Sequence, residues 1–173
     1  MHYGYIKHHM QKILISACIL GHRVRYDAKD NLTQNPRLQK WIDANRVIKI
    51  CPEMAGGLPT PRAPAEIQKQ STARDVLNGK GKILTNCQQD VSAEYITGAK
   101  RALALVQAHN IKVAILKARS PSCGTQKVYD GSFTGTLIDG NGVTAELLLQ
   151  HNIKVFNEMQ IDEALDCAES LLQ

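Results

Sequence analysis

Three short runs of apolar, largely β-branched residues each lead to a cysteine at the start of, or within, a loop rich in glycine, proline or serine. Ile13-Leu14-Ile15-Ser16-Ala17 leads to Cys18, and Val47-Ile48-Lys49-Ile50 leads to Cys51. Val113-Ala114-Ile115-Leu116 runs without a break into Lys117-Ala118-Arg119-Ser120-Pro121-Ser122-Cys123-Gly124. Runs this short and this continuously apolar read as buried parallel strands. The carboxyl ends of parallel strands gather along one edge of a sheet, where open α/β sheets bind their ligands. Three thiols far apart in sequence are thereby candidates for one site.

The rest of the chain supports the same architecture. Strands are predicted over residues 12–17, 46–50, 113–117 and 154–156. A helix is predicted to start at Asn35-Pro36, a capping side chain followed by proline at the first helical position, and to turn Leu38 and Trp41 inward. Residues 90–109 carry Tyr95, Ala99, Ala102, Leu103 and Val106 at helical spacing. Further helices are predicted over 142–150 and 162–172, the last capped by Asp162. Residues 51–66 hold four of the six prolines, which argues against regular structure and for a stiff, site-forming loop. Stretches 66–71 and 82–85, flanking Asn78-Gly79, suit a hairpin, and residues 129–135 a turn-rich excursion. Strand–helix alternation of this kind predicts the α/β class: a single-domain three-layer sandwich with a mainly parallel, Rossmann-like sheet over residues 12–173, preceded by a flexible extension over residues 1–11.

Composition narrows the function classes. At 173 residues and 43% hydrophobic, the chain can bury a core without disulfides. Its five cysteines show no framework spacing, the start Met1-His2-Tyr3-Gly4-Tyr5 lacks the apolar core of a secretory signal, and no segment reaches the roughly 18 apolar residues of a membrane span. The expected compartment is the cytoplasm, with reduced thiols and no membrane partner. The net charge of +5 suits an anionic or nucleotide-like ligand. The basic residues are scattered singly, so a nucleic-acid partner stays open but without support. His2, His8 and His9 are read as part of the polar extension and not as a metal cluster.

A Cys-x-x-Cys pair is missing, which removes the compact signals for structural zinc and thioredoxin-type exchange. Three converging thiolates still suit a zinc ion with an open fourth position, or a 4Fe-4S cluster held by three cysteines with one iron free for substrate. A non-catalytic ligand-binding or redox-sensing domain is the third reading. Free cysteine also packs as a small hydrophobe, and Cys87 and Cys167 are left under that description. Cys51-Pro52-Glu53 sets a carboxylate two residues from a thiol, and Ser120 and Ser122 set two hydroxyls beside another. Glu53 in such a cleft can hold or exchange a proton. Arg62 and Arg119 can meet an anionic group of the substrate; Arg25 reads more simply as solvated surface.

Four motifs in register carry a resemblance. Ile15-Ser16-Ala17-Cys18-Ile19-Leu20-Gly21 with Val24-Arg25-Tyr26-Asp27, and Cys51-Pro52-Glu53 with Gly56-Gly57-Leu58-Pro59-Thr60-Pro61-Arg62, are the first two. The third is Lys117 to Gly124 with Tyr129-Asp130-Gly131, and the fourth Gly142-Val143-Thr144-Ala145. Over about residues 12 to 158 the chain resembles the small bacterial family, formerly a domain of unknown function, that includes the 2-thiouracil desulfurases. The resemblance implies a 4Fe-4S cluster carried by Cys18, Cys51 and Cys123, whose open iron binds the sulfur of a thiolated pyrimidine. It implies replacement of that sulfur by oxygen from water, with release of hydrosulfide. It also implies catalytic roles for Glu53 and for a serine of Ser-Pro-Ser-Cys, Ser120 ahead of Ser122. The extension and the basic insertion around Lys80-Gly81-Lys82 depart from the simple pattern and leave oligomeric state and partners open. Whether the substrate is a base, nucleoside, nucleotide or modified nucleic acid is likewise open.

Overall fold

The computed structural model describes residues 10–171; the predicted extension over residues 1–11, with His2, His8 and His9, falls almost wholly outside them. Strand β1 (Ile13–Ser16) passes into a 3-10 turn, Ala17–Leu20, and a long loop precedes α1 (Pro36–Asp43). Asn35 caps α1 as the sequence predicts, its side chain accepting from the backbone N–H groups of Arg37 and Leu38. Then follow β2 (Val47–Ile50), α2 (Pro52–Ala55), β3 (Ala65–Ile67), α3 (Ala73–Leu77) and β4 (Ile83–Thr85). The second half comprises α4 (Ser92–Ala108), β5 (Val113–Leu116), β6 (Lys127–Tyr129), β7 (Leu137–Asp139), α5 (Val143–Gln150), β8 (Lys154–Asn157) and α6 (Ile161–Ser170).

The central sheet has the order β2-β1-β5-β8, every neighbour parallel. Alternate side chains of β1 and β5 enter two separate cores. Ile13, Ile15, Val113 and Ile115 pack with Leu38 and Trp41 of α1 and with Ile161 and Leu165 of α6. Leu14, Ala114 and Leu116 pack on the other face with Ala102 and Val106 of α4 and with Ala145 and Leu148 of α5. The result is the three-layer α/β sandwich expected from the alternation of strands and helices. From β1 the chain moves to β2 on one side and later returns to β5 on the other. The strand order therefore reverses between β1 and β5, and a crevice opens at the carboxyl ends of strands that part in this way.

Three local readings need correction. The stretches around residues 66 and 85 do pair antiparallel, as β3 with β4, but helix α3 lies between them where a tight turn was predicted. A Thr72–Asp75 capping box starts that helix, and Asn78-Gly79 ends it. The proline-rich segment is not wholly irregular, since Pro52 opens the one-turn α2, a position where a missing N–H costs nothing. Helix α6 starts at Ile161, which is buried, and Asp162 lies inside the first turn. Its carboxylate meets Arg37 and Asn35 of the neighbouring helix instead of capping its own.

Helices α2 and α4 touch backbone to backbone. A β-carbon on Gly98 would collide with the Pro52 carbonyl, and one on Gly56 with the Glu94 carbonyl. Arg101 of α4 also donates to the Ala55 carbonyl at the end of α2. In an ordinary helix interior Gly→Ala gains about 1 kcal/mol. Gly98→Ala is predicted to reverse that sign and cost about 1–3 kcal/mol through overpacking, read as a lower urea midpoint with an unchanged slope. A stabilised Gly98→Ala protein would show that the two helices separate freely.

Candidate active site

Strands β1, β2 and β5 each deliver one thiol to the same cleft, of about 570 Å³. Cys18 sits in the 3-10 turn after β1, Cys51 directly follows β2 and precedes α2, and Cys123 lies in the turn after β5. Cys18 and Cys123 are buried and Cys51 is half-buried. Cys87 and Cys167 do not line the cleft. The ends of β1 and β5 are joined by Ser16, whose hydroxyl accepts from the Lys117 N–H at 3.0 Å and donates to Cys123 Sγ at 3.4 Å. Cys51 Sγ is 3.7 Å from the Val24 carbonyl, which holds the loop after β1 against the start of α2.

The turn bearing Cys123 is fixed from two sides. Within it, Ser120 Oγ accepts from the backbone N–H groups of Ser122 and Cys123, each at 3.0 Å. From below, the first N–H groups of α5 donate to it, Val143 to the Pro121 carbonyl at 2.9 Å and Thr144 to the Ser122 carbonyl at 2.8 Å. Gly142 permits this approach, because any side chain there would strike the Ser122 backbone.

The two serines of the motif separate clearly. Ser120 lines the cleft and donates to Glu53 Oε1 at 3.3 Å. Ser122 is fully buried, and its hydroxyl meets Thr144 at 2.8 Å in the protein interior. Glu53 also lines the cleft, with its other oxygen held by Arg62, Nε to Oε2 at 2.7 Å. Arg62 directs its remaining donors to the Pro59 carbonyl at 3.1 Å, Thr60 Oγ1 at 3.0 Å and the Val24 carbonyl at 3.1 Å. Its guanidinium, predicted to meet an anionic group of the substrate, is engaged throughout by protein oxygens, those of Glu53 among them. Arg119 stands exposed at the cleft rim with a left-handed backbone, φ 65°, and its side chain meets no acceptor among the described residues.

Charge in the cleft follows burial. Desolvation pushes the Cys18 thiol up to about 11, with the neighbouring Cys51 adding to the effect. Cys123 is pushed up further by burial, partly offset by the Ser16 hydrogen bond and reinforced by Cys18, Glu53 and Cys51. Cys51 is raised as well, again chiefly by burial. Three thiols that feel one another's charge and resist ionisation become thiolates readily only beside added positive charge, as a metal supplies. Among the described residues, no three His, Cys, Asp or Glu side chains close to the spacing of a single ion. Three soft thiols lining one cleft are the donor type that an iron–sulfur cluster takes.

Comparison with known proteins gives the family. Residues 13–160 match the 2-thiouracil desulfurase family. The chain belongs to that family. It is 40% identical to YbbK, an uncharacterized protein of Bacillus subtilis (strain 168), over 153 residues that cover 88% of this chain and 99% of the relative. It is also similar to the solved structure of the 4Fe-4S-dependent thiouracil desulfidase TudS, at 42% identity and a TM-score of 0.83, covering 93% of this chain and 99% of that one. Among the described residues no helix is long and apolar enough to cross a membrane.

Sequence reasoning missed several residues of this desulfurase-family cleft. Tyr95 reads as an apolar position of α4, yet it lines the cleft, and burial followed by the charge of Glu53 raises its phenol well above the usual range. Ser16 reads only as a strand residue. Lys117 lines the cleft and pairs with Glu158 at 2.8 Å, while the Ala118 N–H donates to the same carboxylate at 2.7 Å. Glu158 follows β8 and carried no local signal. Burial works against its ionisation, but Lys117 and the Ala118 N–H together hold its carboxyl below the usual range. Glu158→Gln is predicted to cost about 1–3 kcal/mol at pH 7 in urea unfolding. A carboxyl depressed in the folded state stabilises above its unfolded value, so the gap between wild type and variant should narrow as pH falls below about 4.3. A gap that is unchanged at pH 3.5 would remove the ion pair from the account.

Proposed function

We propose that this protein is a cluster-dependent desulfurase that replaces the sulfur of a thiolated pyrimidine with oxygen from water and releases hydrosulfide. The observation that carries the reading is the meeting, in one cleft, of Cys18, Cys51 and Cys123 with the Glu53–Ser120 pair. Membership of the 2-thiouracil desulfurase family and the likeness to TudS support it. Cys18, Cys51 and Cys123 would hold a 4Fe-4S cluster, which when bound supplies a soft Lewis acid for a thiocarbonyl sulfur.

The chain's own residues supply the proton handling. Replacing C=S by C=O consumes one water and yields one hydrosulfide and one proton, with no net electron transfer. Glu53 takes a proton from the attacking water and returns it to the departing sulfur. Ser120 has both lone pairs occupied by the N–H groups of Ser122 and Cys123, so its own proton is directed at Glu53 Oε1. Ser120 and Arg62 thus hold the two carboxylate oxygens in place, one from each side. Preorganising the base in this way spares it reorganisation during the reaction. Cytoplasmic residence suits reduced thiols and completes the reading.

Purification without oxygen tests the cofactor: a brown protein with iron and sulfide supports the cluster, and a colourless one with stoichiometric zinc points to a zinc hydrolase. Glu53→Gln is predicted to keep the colour and slow hydrosulfide release from 2-thiouracil by about 10²–10⁴-fold. Ser122→Ala, which alters a contact in the interior, should stay within a few-fold of wild type. An unchanged rate in Glu53→Gln would take that residue out of the mechanism.

A further inference from the structure

The wall of the cleft provided by β3, together with the loop that follows β6, carries a carboxylate that the chemistry above does not use. Glu66 belongs to β3, is only 8% exposed and lines the cleft. Its Oε2 accepts from the Gly131 N–H at 2.9 Å and the Phe133 N–H at 3.1 Å. Its Oε1 accepts from no described residue. With Oε2 engaged by the loop and no protein donor on Oε1, this cleft-lining carboxylate keeps an acceptor free for a ligand N–H.

The loop held by Glu66 packs its backbone against that of the end of β3. Gly131 has φ 87°, and a β-carbon there would run into the Ile67 carbonyl and the Lys69 N–H. Asp130 accepts from the Ser132 N–H at 2.9 Å, which closes the turn. Phe133, one of two phenylalanines in the chain, adopts a left-handed backbone, φ 57°, that a bulky side chain rarely occupies. Such a conformation persists only when its surroundings impose it, and it places an aromatic side chain on the cleft wall beside Glu66.

We infer that Glu66 and Phe133 form the ring-recognition wall of the site: Glu66 Oε1 accepts an N–H of the pyrimidine, and Phe133 provides an aromatic surface for its plane. The inference rests on the cleft being the pyrimidine site and assigns the residues that select a ring bearing N–H groups. A polar group built to meet a substrate N–H rejects analogues that lack it, because its own oxygen is then left unpaired. Glu66→Gln retains an oxygen for the N–H groups of Gly131 and Phe133 and turns an amide donor toward the ligand.

The test is binding of uracil and of 1,3-dimethyluracil to the full-length, cluster-loaded protein, followed by ligand-observed NMR, with hydrosulfide release from 2-thiouracil measured separately. Wild type should hold uracil at least 10-fold more tightly than its dimethyl analogue. Glu66→Gln should weaken uracil about 10–100-fold and leave the dimethyl analogue unchanged, as loss of one charged hydrogen bond predicts. Phe133→Leu should weaken both ligands alike. Equal binding of the two ligands by wild type, or equal loss of both in Glu66→Gln, would overturn the inference. A wild-type protein that selects uracil but releases no hydrosulfide would support the recognition wall and defeat the desulfurase reading.

Discussion

Parallel pairing of β1 with β2 on one side and β5 on the other is the constraint from which the site follows. The register sets Ser16 opposite Ile50, and Ile15 opposite Ile115, so the three strands stop at nearly the same height. Whatever follows each strand must then emerge at the same rim. The reversal of strand order between β1 and β5 parts their connections and leaves a crevice there. Cys18, Cys51 and Cys123 share a cleft because three backbone ladders end together. Their positions do not depend on any attraction between the thiols, which repel one another as they ionise.

Around that rim the protein places its polar groups by backbone contacts too close for side chains to intervene. Gly56 and Gly98 let α2 lie on α4, so Glu53 is carried at a set distance from Tyr95 and from the loop bearing Arg62. Gly142 lets α5 press its N–H groups against the turn of Ser120 and Cys123. Gly131 does the same for the loop bearing Phe133. Each glycine stands where one element of the fold meets a segment that lines the cleft or adjoins one that does. The precision of the site therefore comes from packing between elements remote in sequence, with side-chain hydrogen bonds adding the last constraint.

Much of this was legible beforehand for a physical reason. Buried parallel strands announce themselves as short continuous apolar runs, and Asn35-Pro36 marks a helix start through local capping chemistry alone. The local signals failed where a distant partner decided. Asp162 looked like a cap but meets Arg37, 125 residues away. Asn78-Gly79 looked like a hairpin turn but closes a helix started by a capping box six residues earlier. Arg62 looked free for substrate, and only the fold brings Glu53 and the Val24 carbonyl to it.

The sequence by itself determined the layered α/β class, the strand that carries each thiol and the family to which the chain belongs, because these rest on local periodicity and on contiguous motifs. Tertiary structure alone decided which serine faces the carboxylate. Ser120 and Ser122 stand two residues apart on one turn, and their orientation is set from across the chain by Gly142 and Thr144 at the start of α5. It alone also showed that Tyr95, Lys117 and Glu66 belong to the cleft. A side chain's direction into a cavity depends on which elements pack around it, and no local pattern of residues encodes that.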